Sequence, residues 1–217
     1  MKQKFAVIGL GNFGGTVAVE LVRLQHEVLG IDVDPRYVDK FADKLTQALV
    51  ADGTDERVIE ELGLASYNGV VVAIGENIEA SILTTLALKS AGCKQVWVKA
   101  LSDAHHLILQ RMQADRIIHP ENEIGVRVAQ NLTHPQMLDY IALGHGWFVV
   151  EIKVNEAIAC KTNYDTELDL AEVTLMAVKR GSRLLPPPYH GLLLQPDDQI
   201  VLCGMLDNLL KFAKKIL

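Results

Sequence analysis

Cysteine, long apolar runs and an excess of positive charge are all scarce in this chain, and each shortage narrows what it can be. The three cysteines among 217 residues, Cys93, Cys160 and Cys203, are widely spaced with no C-x-x-C. Neither a disulfide framework nor a structural zinc site is indicated. The formal net charge is -6, and lysines and arginines do not cluster. A basic face for a nucleic-acid backbone is missing, so no nucleic-acid partner is expected. The longest apolar stretches, such as 70–74 and 147–150, fall far short of the ~20 residues that span a bilayer. The opening Met1-Lys2-Gln3-Lys4-Phe5 runs straight into a strand pattern with no secretory signal, so a cytoplasmic location is expected. There is no internal repeat and no low-complexity segment, and Pro186-Pro187-Pro188 reads as a stiff connector.

What is present is ample apolar material, 49% hydrophobic residues against 22% charged, in a length that suits one large and one small domain. From the start, short β-branched runs alternate with amphipathic segments, as βαβ units require. The pattern predicts strands at 4–9, 27–32, 47–51, 70–75, 95–99 and 116–119. Several are continuous apolar runs, which implies a parallel sheet covered by helices on both faces. A helix over 121–132 follows, and the rhythm then stops around Thr133-His134-Pro135 and the Gly144-His145-Gly146 turn. The expected architecture is α/β, a Rossmann-type doubly wound parallel sheet over residues 1–133 including the linking helix 121–132. A small α+β domain over 134–217 completes it, with strands at 147–154, 174–179 and 199–203 and a closing helix at 206–217.

Gly9-Leu10-Gly11-Asn12-Phe13-Gly14 is a G-x-G-x-x-G that leaves the first strand and opens a helix over 16–24. Gly9 permits the tight turn, Gly11 lets a pyrophosphate approach the backbone, and Gly14 lets helix pack on strand. The helix N-terminus offers unpaired N–H groups to phosphates. Asp32 ends the second strand 18 residues beyond Gly14. There a carboxylate accepts hydrogen bonds from ribose hydroxyls and repels the 2'-phosphate of NADP, a repulsion that Arg36 can offset. Asp34 lies in the loop after it. Ala51-Asp52-Gly53-Thr54 follows the third strand, where Asp52 either accepts from adenine or, with Thr54, caps the helix after it. Ile74-Gly75-Glu76-Asn77 follows the fourth, with Gly75 admitting the nucleotide and Asn77 expected mainly as a helix cap. Lys99 ends the fifth strand facing the same crevice, as a phosphate partner or as a snorkelling surface lysine.

Catalytic groups are harder to find. No Tyr-x-x-x-Lys pair and no G-x-S-x-G occur, and the glycine loop lacks the Lys-Ser/Thr ending of phosphate-transferring loops. His105 and His106 are adjacent on a helix, cannot chelate in the i, i+4 manner and read as surface histidines. His145, Tyr164 and His190 carry no assigned chemistry. A nucleotide-binding domain joined to a small second domain with no reaction attached points to a regulator rather than an enzyme. A small NAD-dependent oxidoreductase stands as the alternative. An NADH-sensing repressor would need a basic winged helix that is not visible.

Phe5-Ala6-Val7-Ile8-Gly9-Leu10-Gly11, Val72-Ala73-Ile74-Gly75, Trp97-Val98-Lys99-Ala100 and Ala114-Asp115-Arg116-Ile117-Ile118-His119-Pro120-Glu121, in this order, resemble the RCK-domain regulatory subunits of Ktr/Trk-type potassium transporters. The second domain, with Leu194-Gln195-Pro196-Asp197-Asp198-Gln199-Ile200-Val201, resembles the C-terminal RCK subdomain more loosely. The resemblance implies a homo-oligomer, commonly an eight-subunit ring, docked at the membrane on a potassium-translocating subunit. It implies gating by ATP, ADP or NAD(H). An acid in the position of Glu121 reaches a neighbouring subunit's nucleotide site in that family, often through Mg2+ or another cation; the residues alone also fit Glu121 as a helix-dipole partner. Some members bind cyclic di-AMP in the second domain, and no residue here decides that. Ktr-type subunits often carry Arg where this chain has Asn12, and that cation suits a γ-phosphate. ATP, ADP and NAD(H) therefore remain open as ligands.

Overall fold

The computed structural model describes residues 1–133, 137–159, 168–169 and 171–216. Cys160, Tyr164 and the expected domain boundary at residue 134 lie outside them. The chain divides into two compact units, Met1–Glu123 and Ile124–Leu217. The division falls inside a helix, Pro120–Thr133, that the sequence assigns whole to the first domain.

In the first unit, strands β1 (Lys4–Ile8), β2 (Glu27–Asp32), β3 (Gln47–Val50), β4 (Gly69–Val72), β5 (Val96–Lys99) and β6 (Arg116–Ile118) form one parallel sheet. Its order is β3-β2-β1-β4-β5-β6, the doubly wound arrangement expected from the alternating pattern. The helices are α1 (Asn12–Arg23), α2 (Pro35–Phe41), α3 (Glu56–Glu61), α4 (Ile78–Ser90), α5 (Asp103–Arg111) and α6 (Pro120–Thr133), with a 3-10 turn at Leu64–Ser66. All four residues of β4 are buried, as are Ala6, Val7 and Ile8 of β1. One core layer gathers Ala6, Ile8, Ile31, Val72, Leu88 and Leu109, the other Val7, Leu10, Ala18, Val28 and Phe41. These central strands have no polar face because helices cover both sides.

Helix starts are written in local chemistry. Asp34, Asp55, Asn77 and Ser102 cap α2, α3, α4 and α5 with side-chain oxygens. Helix α3 is thus capped by Asp55, which corrects the reading that Asp52 and Thr54 cap it. Helix α1 begins at Asn12, four residues before the sequence pattern places it, because Gly11 takes the cap position directly after the strand turn.

The second unit contains β7 (Met137–Gly144), β8 (Trp147–Lys153), β9 (Thr174–Arg180), β10 (Arg183–Leu184) and β11 (Gln199–Met205), an antiparallel sheet ordered β10-β9-β11-β8-β7. Helices α7 (Glu156–Ala159) and α8 (Leu206–Ile216) accompany it. Strands β7 and β10 extend the three strands read from the sequence. Burial alternates along β11, where Ile200, Leu202 and Gly204 face inward onto Val150, Ile152, Val178, Leu209 and Phe212.

Candidate functional site

The strand order reverses between β1 and β4, so the loops at their carboxyl ends part and leave a crevice. A cavity of about 600 Å³ opens there, within the range of nucleotide and cofactor sites.

The glycine loop forms one wall. Gly9 has φ +96°, and a Cβ on it would stand 2.9 Å from the Ala73 carbonyl. A Cβ on Gly14 would lie 1.9 Å from the Gly9 carbonyl oxygen and 2.8 Å from Ala73 Cβ, whereas Gly11 has no atom within 4 Å of that position. Two of the three glycines thus allow close packing and the third keeps a space clear. No side chain caps α1 and no acid occupies its first turn, so the N-terminal N–H groups and helix dipole remain suited to a phosphate.

The opposite wall begins at Asp32. Its Oδ2 accepts from the Leu10 N–H (2.6 Å) and its Oδ1 from the Asp34 N–H (2.9 Å), which fixes the carboxylate at the strand end. Arg36 forks the Asp34 carboxylate through Nε and Nη2. That pair holds the Asp34 carboxyl below the usual range, and it turns the cation near Asp32 toward another anion. Asp52 Oδ1 accepts from both the N–H and the hydroxyl of Thr54, closing a turn at the cavity floor. Asn77 caps α4 through the Ala80 N–H (3.0 Å).

Lys99 and Glu121 close the third side. The Lys99 side chain is only 8% exposed and donates to Glu121 Oε1, whose side chain is 70% exposed. That hydrogen bond holds the Glu121 carboxyl below its ordinary range, against the weaker opposing effect of burial. The Lys99 ammonium lies 5.9 Å from the centre of the Phe13 ring and 3.6 Å from where a Cβ on Gly75 would stand. Burial of its stem and head removes the reading of Lys99 as a snorkelling surface lysine.

Of the residues singled out from the sequence, Gly9, Gly11, Asn12, Phe13, Asp32 and Asp34 line the cavity. So do Ala51, Asp52, Gly53, Thr54, Ile74, Gly75, Asn77, Lys99 and Glu121. Leu10 and Gly14 do not: the Leu10 side chain is fully buried in the core, and Gly14 sits under the loop. Val33, Tyr37, Ala73, Ala80 and Glu76 also line it and were not singled out. Glu76 lies in the loop between β4 and α4, beside Gly75 and Asn77, and could have been found from that position. Among the described residues, no three His, Cys, Asp or Glu converge as a metal site; Glu121 is a single carboxylate donor.

The paired histidines need correction. His105 is buried, accepts from the Leu101 N–H at Nδ1 (3.3 Å) and has its pKa lowered, chiefly by burial and then by His119. It shares the inner face of α5 with Leu109, four residues on. His106 is not a free surface side chain either, since its Nδ1 lies 2.8 Å from His119 Nε2.

A family model described as the TrkA-N domain matches residues 5–120. The chain is 38% identical over 218 residues to the Ktr system potassium uptake protein C of Bacillus subtilis (strain 168), covering 100% of this chain and 99% of that protein. It is 38% identical over 215 residues to the Ktr system potassium uptake protein A of Vibrio alginolyticus, covering 99% of this chain and 98% of that one. The GsuK channel bound to NAD superposes with a TM-score of 0.64 at 14% identity, over 100% of this chain and 39% of the channel chain. That likeness is one of fold. No described helix is long and apolar enough to cross a membrane.

Proposed function

The chain belongs to the TrkA-N domain family and, within it, to the Ktr potassium uptake proteins, and from that premise we propose that it is a nucleotide-sensing regulatory subunit of a membrane potassium transporter. The observation that carries the reading is the full-length similarity to two potassium uptake proteins, and the form of the cavity agrees with it. Glycine-loop backbone, the bare start of α1 and the Asp32 carboxylate stand where phosphate and ribose of one adenine nucleotide would bind. ATP, ADP and NAD(H) all share that part. The engagement of Arg36 by Asp34 supports exclusion of NADP. A cation such as Mg2+ would take Glu121 and phosphate oxygens as donors.

The protein acts by binding, without catalysis, as a ring of identical subunits on the cytoplasmic face of a potassium-translocating subunit. Nucleotides shift the ring between shapes only by their difference in affinity for each. We take the sensing domain to run to residue 133, including the linking helix 121–132.

Thermal unfolding with ATP, ADP, NAD, NADH and cyclic di-AMP tests the reading. A ligand at ~100 times its Kd adds about 2.7 kcal/mol, or roughly 5 to 10 °C for a chain of this size. Shifts with adenine nucleotides, together with a multimeric mass in light scattering, are expected. A monomer indifferent to every nucleotide overturns the proposal, and turnover of NADH with carbonyl compounds would put a small oxidoreductase in its place.

A further inference from the structure

The Lys99–Glu121 pair is lopsided. The base is walled in at the end of β5 and the acid stands mostly in solvent on the first turn of α6. A buried ammonium must keep an anion beside it, whereas an exposed carboxylate regains water when it leaves. Among the described residues lining the cavity, Lys99 is the one lysine or arginine, against Asp32, Asp34, Asp52, Glu76 and Glu121. Its neighbours, Phe13 in the first turn of α1 and Gly75 in the loop after β4, place the ammonium beside the helix start where Gly11 leaves room. A phosphate held by that helix start is therefore drawn to the same ammonium.

Resting on the nucleotide-sensing reading above, we propose that Glu121 competes with the ligand's phosphate for Lys99. Glu121 is thereby a specificity-determining residue: it weakens adenine nucleotides whose phosphate chain reaches Lys99, leaves those whose chain does not reach it unaffected, and admits only a phosphate that outcompetes its carboxylate. Two anions on one ammonium repel each other, so a phosphate that reaches Lys99 displaces the carboxylate. Lys99 keeps a counter-ion throughout. The first turn of α6 loses its tie to β5, so ligand identity is reported at the start of the helix that crosses from one unit to the other. Adenosine carries no phosphate and leaves the pair closed.

The test is calorimetric titration of the full chain with ADP and with adenosine in EDTA, so that no divalent cation contributes at Glu121. The proteins are wild type, Glu121→Gln, Lys99→Met and the double variant. Removing the competitor is expected to tighten ADP roughly 3- to 10-fold and to change adenosine less than about 2-fold. In the Lys99→Met background the gain should fall below about 2-fold. ADP affinity that is unchanged or weaker in Glu121→Gln overturns the proposal, as does a gain that persists undiminished without Lys99. Amide hydrogen exchange of the wild type provides a reading that needs no variant. ADP should speed exchange at residues 121–125 and adenosine should not; equal behaviour counts against displacement. If ADP does not bind the wild type, the competition proposal fails; if thermal unfolding is also indifferent to ATP, NAD and NADH, the nucleotide reading itself fails, an outcome distinct from binding without competition.

Discussion

The two units each carry an acid–base pair, and the pairs are built in opposite ways. In the second unit Asp198 is 1% exposed, receives Nε and Nη2 of Arg180 together and also accepts from the Gln195 N–H. Arg180 gives a further bond to the Leu193 carbonyl. Three hydrogen bonds hold that carboxylate within the fold, so it fastens β9 to the turn before β11. In the first unit Lys99 meets a largely exposed Glu121 through a single hydrogen bond. A saturated pair holds structure, while a half-open one leaves a buried cation available to a ligand. The sheets differ in the same sense. Parallel strands bring all their carboxyl ends to one side and split at a switch point, whereas the antiparallel sheet has no such edge.

The contrast can be broken or sharpened by substitution, beginning with the largest effect. Gly14→Val forces side-chain atoms against the Gly9 carbonyl oxygen and Ala73. We expect a loss of about 3 kcal/mol or more and no nucleotide-induced shift in thermal unfolding; an unchanged midpoint would sink the packing argument. Asp198→Ala strips Arg180 and the Gln195 N–H of their acceptor and should cost about 2 kcal/mol, moderated because Arg180 is 34% exposed. Nucleotide affinity should stay as in the wild type. Denaturant unfolding and titration together check this, and a change in affinity would show that the second unit is not merely held together by the pair.

Gly11→Ala adds a methyl where nothing stands within 4 Å. Stability should hold to within about 0.5 kcal/mol while nucleotide affinity falls about tenfold, the reverse of the Asp198 result. The smallest effect concerns pH. Burial alone would raise the Asp198 carboxyl, but hydrogen bonds from Arg180 and Gln195 and the Arg180 charge outweigh it and leave it lowered. Its contribution is therefore complete above the unfolded carboxylate range, about pH 4, and is lost as pH falls through the lower folded value. Asp198→Asn should flatten that acid limb of the stability curve; an unaltered limb would assign it to other carboxylates.

Local patterns carried much of this. Six parallel strands, the glycine loop and Asp32 were legible because each depends on near neighbours: apolar runs, turns that tolerate positive φ, an acid at a strand end. Asn77 as a cap was legible for the same reason. Strand β7 was not, since its sequence, Met137–Gly144, follows directly on the Thr-His-Pro stretch read as the break in rhythm. The cap of α3 was misplaced by three residues because Asp52, Thr54 and Asp55 all carry oxygens able to accept from a helix N–H, and only the path of the chain selects Asp55.

The sequence by itself determined the doubly wound class, the glycine-rich turn after the first strand and the family, all set by spacing along the chain. Only the tertiary structure decided that His105 is inside, that Arg36 serves Asp34, that Leu10 lies beneath the site and that Lys99 is buried against an exposed Glu121. The physical reason is distance. Lys99 and Glu121 are 22 residues apart, and whether a side chain keeps its water or takes a partner depends on which surfaces the fold brings over it, something no local pattern specifies.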